Sequence, residues 1–159
     1  MNDETIVKIV LNNWSTTIAR ANVLFDNLSE EKLLTKVAPN RNTGLYILGH
    51  LIAVNDMLLP LLNLEKSMYP ELKDSFLKNP DSAKIQSHKV ADLRQNWTTV
   101  NSKLQTHFDN LTVNEWLQKH GSVSAEDFIK EPHRNRLNVV LSRTNHLNYH
   151  LGQLIFLKD

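Results

Sequence analysis

Cysteine does not occur in this chain of 159 residues, which excludes disulfides, cysteine nucleophiles and thiolate metal sites from the polypeptide itself. Any soft sulfur chemistry has to arrive with a small molecule. Glycine and proline are scarce, four and five residues, so long segments run without the residues that interrupt helices. Neither sign of charge dominates: 18 Lys and Arg stand against 17 Asp and Glu, interspersed along the chain. Without a basic stripe, nothing points to a nucleic acid as partner. Residues 1–9 carry Asp3 and Glu4 where a secretory signal would have a basic start and an apolar run. No stretch is expected to supply the roughly 18 apolar residues that cross a bilayer. These absences lead to an expectation of a cytoplasmic protein with no membrane partner. No repeat or low-complexity tract divides the chain, and its length suits one domain, 1–159, with one core.

What the sequence does have is helical periodicity. A first helix is expected over about 5–27, with Ile6, Val10, Trp14 or Thr17, Ala21, Leu24 and Leu28 recurring at three- and four-residue steps. A short capped helix at 29–34 and a turn at 39–43 lead to a second long helix over about 44–64. Tyr46, Ile47, Val54, Met57, Leu58 and Leu61 are read along one side of it, and Pro60 is expected to bend its end. The stretch 67–86 reads as a connection with at most one short helix. A third helix over about 89–110 repeats Val90, Leu93, Trp97, Val100, Leu104 and Leu111 with a near-heptad period. Thr112 and Glu115 form a capping-box pattern that opens a short helix around Trp116. A polar connection through Gly121 and Pro132 leads to the last helix, about 135–157, edged by Val140, Thr144, Leu147, Leu151 and Leu154. No segment alternates like a strand, so helix-on-helix packing is the supported architecture: an all-α four-helix bundle with short extra helices in its connections. Up-down-up-down and crossover orders both remain open.

His146 and His150 stand four residues apart, so one turn of the last helix, about 6 Å of rise, separates two rings on the same face. That spacing is the helical one of zinc hydrolases, and imidazole nitrogens bind zinc at about 2.0–2.1 Å. Two ligands make a weak site; His50 is the expected third, because it falls in the apolar stripe of the second helix. Three interior imidazoles with no acidic neighbour at helical spacing need something to satisfy their nitrogens, and a divalent metal does so. Gly49 and Gly152 fall inside helices at about 1 kcal/mol each relative to alanine, which hints at close backbone approach or substrate entry beside the ligands. Gln153, one turn beyond His150 on the same flank, is a candidate to hold a ligand ring or contact a substrate. His107, on the seam of the third helix, is read as a boundary histidine ahead of a fourth ligand. His88, His120 and His133 are read as solvated, and Trp14, Trp97 and Met57 as core.

The segment 44–51, GLYILGHL, together with 146–154, HLNYHLGQL, resembles the DinB/YfiT-like (damage-inducible) family of metal-dependent enzymes, and the likeness runs along the whole chain. It implies a four-helix bundle, often a homodimer, with zinc or nickel held by three histidines that match His50, His146 and His150. Some members of that family are thiol S-transferases using bacillithiol, mycothiol or glutathione, one branch isomerises maleylpyruvate, and others have no assigned reaction. The extended connections at 67–86 and 121–132 depart from the family pattern.

The leading functional expectation is therefore a metal-dependent enzyme acting on a small molecule, most like a thiol S-transferase with a low-molecular-weight thiol as cosubstrate. A metal-dependent hydrolase of an amide or ester, and a non-enzymatic metal-stabilised ligand-binding stress protein, are the alternatives. In the enzymatic readings His50, His146 and His150 act through the metal, and Gln153, Tyr46 and Tyr149 orient the substrate or the ligand rings.

Overall fold

Side-chain caps set most of the helix starts. In the computed structural model, which describes residues 2–81, 85 and 87–158, Asn2 caps the first helix, α1 (Asp3–Asn27), by accepting the N–H of Thr5 at 3.0 Å. Ser29 caps the short α2 (Glu30–Leu34), and Thr43 caps α3 (Gly44–Asp56) by accepting from the N–H of Tyr46. One residue, Met57, separates α3 from α4 (Leu58–Leu61). Pro60 explains that break, because its ring crowds the carbonyl four residues back and it has no N–H to offer. After a long excursion that holds one π-helical turn, Asp74–Lys78, come α5 (Val90–Asn110), the box-capped α6 (Val113–Trp116), α7 (Ala125–Lys130) and α8 (Arg136–Leu154). A 3-10 turn, Ile155–Leu157, closes the described helices. No strand occurs among the described residues. The expected short helix in the 67–86 connection is the π-helical turn; positions 82–84 and 86 of that stretch lie outside the described residues.

The four long helices α1, α3, α5 and α8 form the bundle, and side-chain pairings fix their directions. Trp97 Nε1 donates to Asn22 Oδ1 at 2.8 Å, Ser15 faces Gln105, and the Arg94 guanidinium donates to the carbonyls of Phe25 and Leu28, so α1 and α5 run antiparallel. Asn55 pairs with Asn101 at 2.8 Å while Leu45 and Val90 line one cavity at the other end, so α3 and α5 run parallel. Gly44 lies against Leu157 and His50 against His146, which makes α3 and α8 antiparallel. The order is thus up-down-down-up, and the parallel step from α3 to α5 is why the chain needs the excursion that ends at Lys89. Asp56 anchors its start: the buried carboxylate accepts the N–H groups of Met68 at 2.7 Å and Tyr69 at 3.0 Å and the hydroxyl of Ser67.

Three expectations change here. Val7, not Ile6, starts the buried stripe of α1, because 7, 10, 14, 17, 21, 24 and 28 keep the strict three-four repeat; Ile6, one step out of phase, is 38% exposed. The second helix is not one-sided: Leu45, Ile47, Leu48, Leu51, Ile52, Ala53 and Val54 are all buried, since α3 has α5, α8, α2 and the π turn around it. For the same reason Gly44–Leu61 reaches 18 residues of mean hydropathy 1.4, contrary to the expectation that no stretch approaches a span. With 72% of that window buried inside the fold, its apolarity is that of a bundle's core helix.

Candidate metal centre

The antiparallel contact of α3 with α8 brings His50 onto the face that carries His146 and His150. His50 Nε2 and His150 Nε2 each lie 3.2 Å from His146 Nε2, and one nitrogen from each ring falls within 4.8 Å of the others. The outer nitrogens decide which tautomers these rings hold. The Phe76 carbonyl can only accept, so His50 Nδ1, 3.0 Å away, is the donor, and its Nε2 presents a lone pair. Gln153 Oε1 does the same for His150 Nδ1 at 2.7 Å, and the Gln153 amide is held in turn by donating to the Tyr149 hydroxyl at 3.1 Å. Two bare lone pairs therefore face His146 Nε2, which carries at most one proton and can satisfy only one of them.

A divalent cation resolves this mismatch. Nitrogens bound tetrahedrally at about 2.05 Å stand about 3.3 Å apart, close to the 3.2 Å that separates His146 Nε2 from each of its two neighbours. Charge points the same way. Burial, the largest cause, pushes the pKa of all three rings down, and that of His146 falls to about 4, with further lowering from His150, His50 and Arg143. The rings are therefore neutral at pH 7, the state in which imidazole binds a metal. The donor set fits zinc or nickel, and His50, His146 and His150 are the residues that would hold it.

The surroundings brace the rings. Tyr46 stacks on His50 with centroids 6.1 Å apart and 12° between planes, and its hydroxyl donates to the Asn79 carbonyl at 2.9 Å. Phe76 is fully buried between Tyr46 and His88, over the bare backbone of Gly49. Beside His150 lies a cavity of about 220 Å³ lined also by Asn40, Arg41, Asn42, Tyr149 and Gln153 among others. A larger one, about 580 Å³, lies between α2, the start of α3 and the start of α5 and touches none of the three histidines.

Sequence reasoning placed Gln153 and Tyr149 beside His150, where they are, and Tyr46 beside His50, where its hydroxyl is already engaged by Asn79. At Gly49 the close approach is made by a side chain, the ring of Phe76, where a neighbouring backbone or a substrate was expected. At Gly152 a Cβ would meet nothing within 4 Å, so no backbone closes on it and the space beside it is open. His107 lies 3.2 Å from Glu65, away from the trio. His133 is exposed, whereas His88 and His120 are half-buried, His88 contacting Ser75 and Phe76. Two neighbours were missed. Phe76 acts through its backbone carbonyl, which no side-chain pattern reveals. Arg143 stands three residues before His146 on the same face, a spacing that could have found it.

A search of curated proteins found no match. The family model of the DinB superfamily matches residues 13–154, a span that takes in α3, α8 and all three histidines. On that match, with the all-helical bundle and the histidine trio in agreement, the chain belongs to the DinB superfamily.

Proposed function

We propose that this protein is a metal-dependent enzyme that joins a low-molecular-weight thiol to a small electrophile, with His50, His146 and His150 holding zinc or nickel. The observation that carries this reading is the convergence of three neutral imidazole nitrogens, two with their lone pairs aimed inward, on a centre whose His150 lines a cavity. A divalent ion bound there supplies Lewis acidity, which lowers the pKa of a thiol or water that binds to it. The chain's own residues hold and shape the site. The Phe76 carbonyl and Gln153 fix the orientation of His50 and His150, the Tyr46 ring backs His50, and Asn40, Arg41 and Asn42 offer polar groups to a substrate in the cavity. With no cysteine in the chain, the sulfur nucleophile is external.

The test is a conjugation assay on zinc- or nickel-loaded protein purified without a His-tag. Glutathione, bacillithiol and mycothiol are each offered with monochlorobimane, and thioether formation is followed by fluorescence. The expected result is turnover with at least one thiol that disappears with a chelator and with His50→Ala. Turnover of ester or amide substrates without any thiol, and none with it, would replace this reading with the hydrolase one.

A further inference from the structure

The turn between α2 and α3 supplies part of the wall of the cavity beside His150, and its backbone is closed on itself. Val37 N–H donates to the Asn42 carbonyl at 3.0 Å and Arg41 N–H to that of Ala38 at 3.1 Å, next to a single bridge between Lys36 and Thr43. Asn40 takes the left-handed backbone, φ 58°, that so tight a reversal needs and that Asn tolerates better than most residues. Held this way, three consecutive polar residues, Asn40, Arg41 and Asn42, line the cavity together with Tyr149, His150 and Gln153 of α8. His150 belongs to both places, since it lines the cavity while its Nε2 faces His146 Nε2 at 3.2 Å.

The lining has a definite chemical bias. Imidazole apart, Arg41 is its one basic side chain, and no Asp or Glu is among the described residues that line it. Asp81, which accepts the N–H of the neighbouring Thr43 at 2.5 Å, lines the larger cavity instead. Both ends of the Gln153 amide are committed, the oxygen to His150 and the nitrogen to Tyr149, so the Tyr149 oxygen accepts and its own proton is left to donate. A guanidinium and a hydroxyl donor in one cavity with no competing acid suit a carboxylate, whose two oxygens match the planar fork of arginine. The three carboxamides of the same wall suit the polar part of a ligand, which is the thiol's part and not that of an apolar electrophile. We infer that this cavity takes a carboxylate of the thiol, and that Arg41 is the residue that binds it. This rests on the thiol-transfer reading above and narrows it: the thiol is an acid, and Arg41 selects it over a neutral one.

Isothermal titration calorimetry on zinc-loaded protein, with no electrophile present, tests this without turnover. The probes are glutathione and bacillithiol, which carry carboxylates, and mycothiol, which carries none. At low ionic strength one of the two acids should bind at least about tenfold more tightly than mycothiol, the scale of a charge-assisted pair. Arg41→Met should weaken that acid by about tenfold and mycothiol by less than about twofold, with the zinc content unchanged, and Arg41→Lys should keep part of the preference. Mycothiol bound as tightly as the acids, or a preference that survives in Arg41→Met, would overturn the inference and leave the thiol-transfer reading standing. A zinc-loaded protein that binds none of the three would overturn both.

Discussion

Alanine at Gly49 should destabilise the protein, although the same change in an open helix stabilises it. An added Cβ would lie 2.4, 2.5 and 2.6 Å from three atoms of the Phe76 ring, where carbon atoms ordinarily sit about 3.5–4.0 Å apart. The ring must retreat by about 1 Å, yet it is fully buried, with Tyr46 at 5.9 Å and His88 at 4.9 Å between centroids. Overpacking of this kind costs about 1–3 kcal/mol, against a gain of about 1 kcal/mol in helix propensity. The net is a loss of up to about 2 kcal/mol, and each 1 kcal/mol lowers Tm by about 2–4 °C in a chain of this size. Gly152 is the internal control, since a Cβ there meets nothing within 4 Å. Gly152→Ala should raise Tm by a few degrees, from a gain of up to about 1 kcal/mol. The Phe76 carbonyl also fixes His50 Nδ1, so a displaced Phe76 should weaken zinc binding by about 10–100-fold in Gly49→Ala alone. Thermal melts in chelator, followed by competitive zinc titration, measure both effects. If Gly49→Ala raised Tm as Gly152→Ala does and bound zinc like the wild type, the proposed role of Phe76 would be refuted.

Gln153→Ala should lower zinc affinity by about 10–100-fold, because His150 Nδ1 loses its acceptor, while Gln153→Glu, which keeps an oxygen there, should retain most of it in the same titration. In metal-free protein, the lowered pKa of the three histidines, about 4 for His146, makes the unfolded chain the better proton acceptor below its own histidine pKa of about 6.5. The stability these groups leave intact above pH 6.5 should therefore be lost as pH falls from 6.5 to about 4, with no further loss from His146 below that, as urea melts at stepped pH would show. Removing His146 by His146→Ala should flatten that slope.

Much of the fold was legible because its helices announce themselves through apolar spacing and end caps. Trp97, Val100 and Leu104 recur on α5, and Thr112 with Glu115 closes a capping box at α6 as expected. The direction of the helices was not legible, since it is set by pairs such as Asn22 with Trp97 and Asn55 with Asn101, remote in sequence and individually unremarkable. The histidines could be grouped because four-residue spacing on α8 forces two of them onto one face, and His50 followed from its place in the apolar stripe read along the second helix. What holds those rings was only half visible. Gln153 is local to His150, but the partner of His50 is a backbone carbonyl 26 residues away, delivered by a π-helical turn that leaves no side-chain signature.

The central claim is that His50, His146 and His150 hold one divalent ion, and metal content by elemental mass spectrometry, on protein produced without a His-tag, tests it most directly. The wild type should carry about one equivalent of zinc or nickel per chain, and His150→Ala, whose helical circular dichroism should be nearly unchanged, should carry close to none. A full equivalent retained by His150→Ala, or a wild-type protein that stays empty when saturated with both metals and desalted, would contradict it.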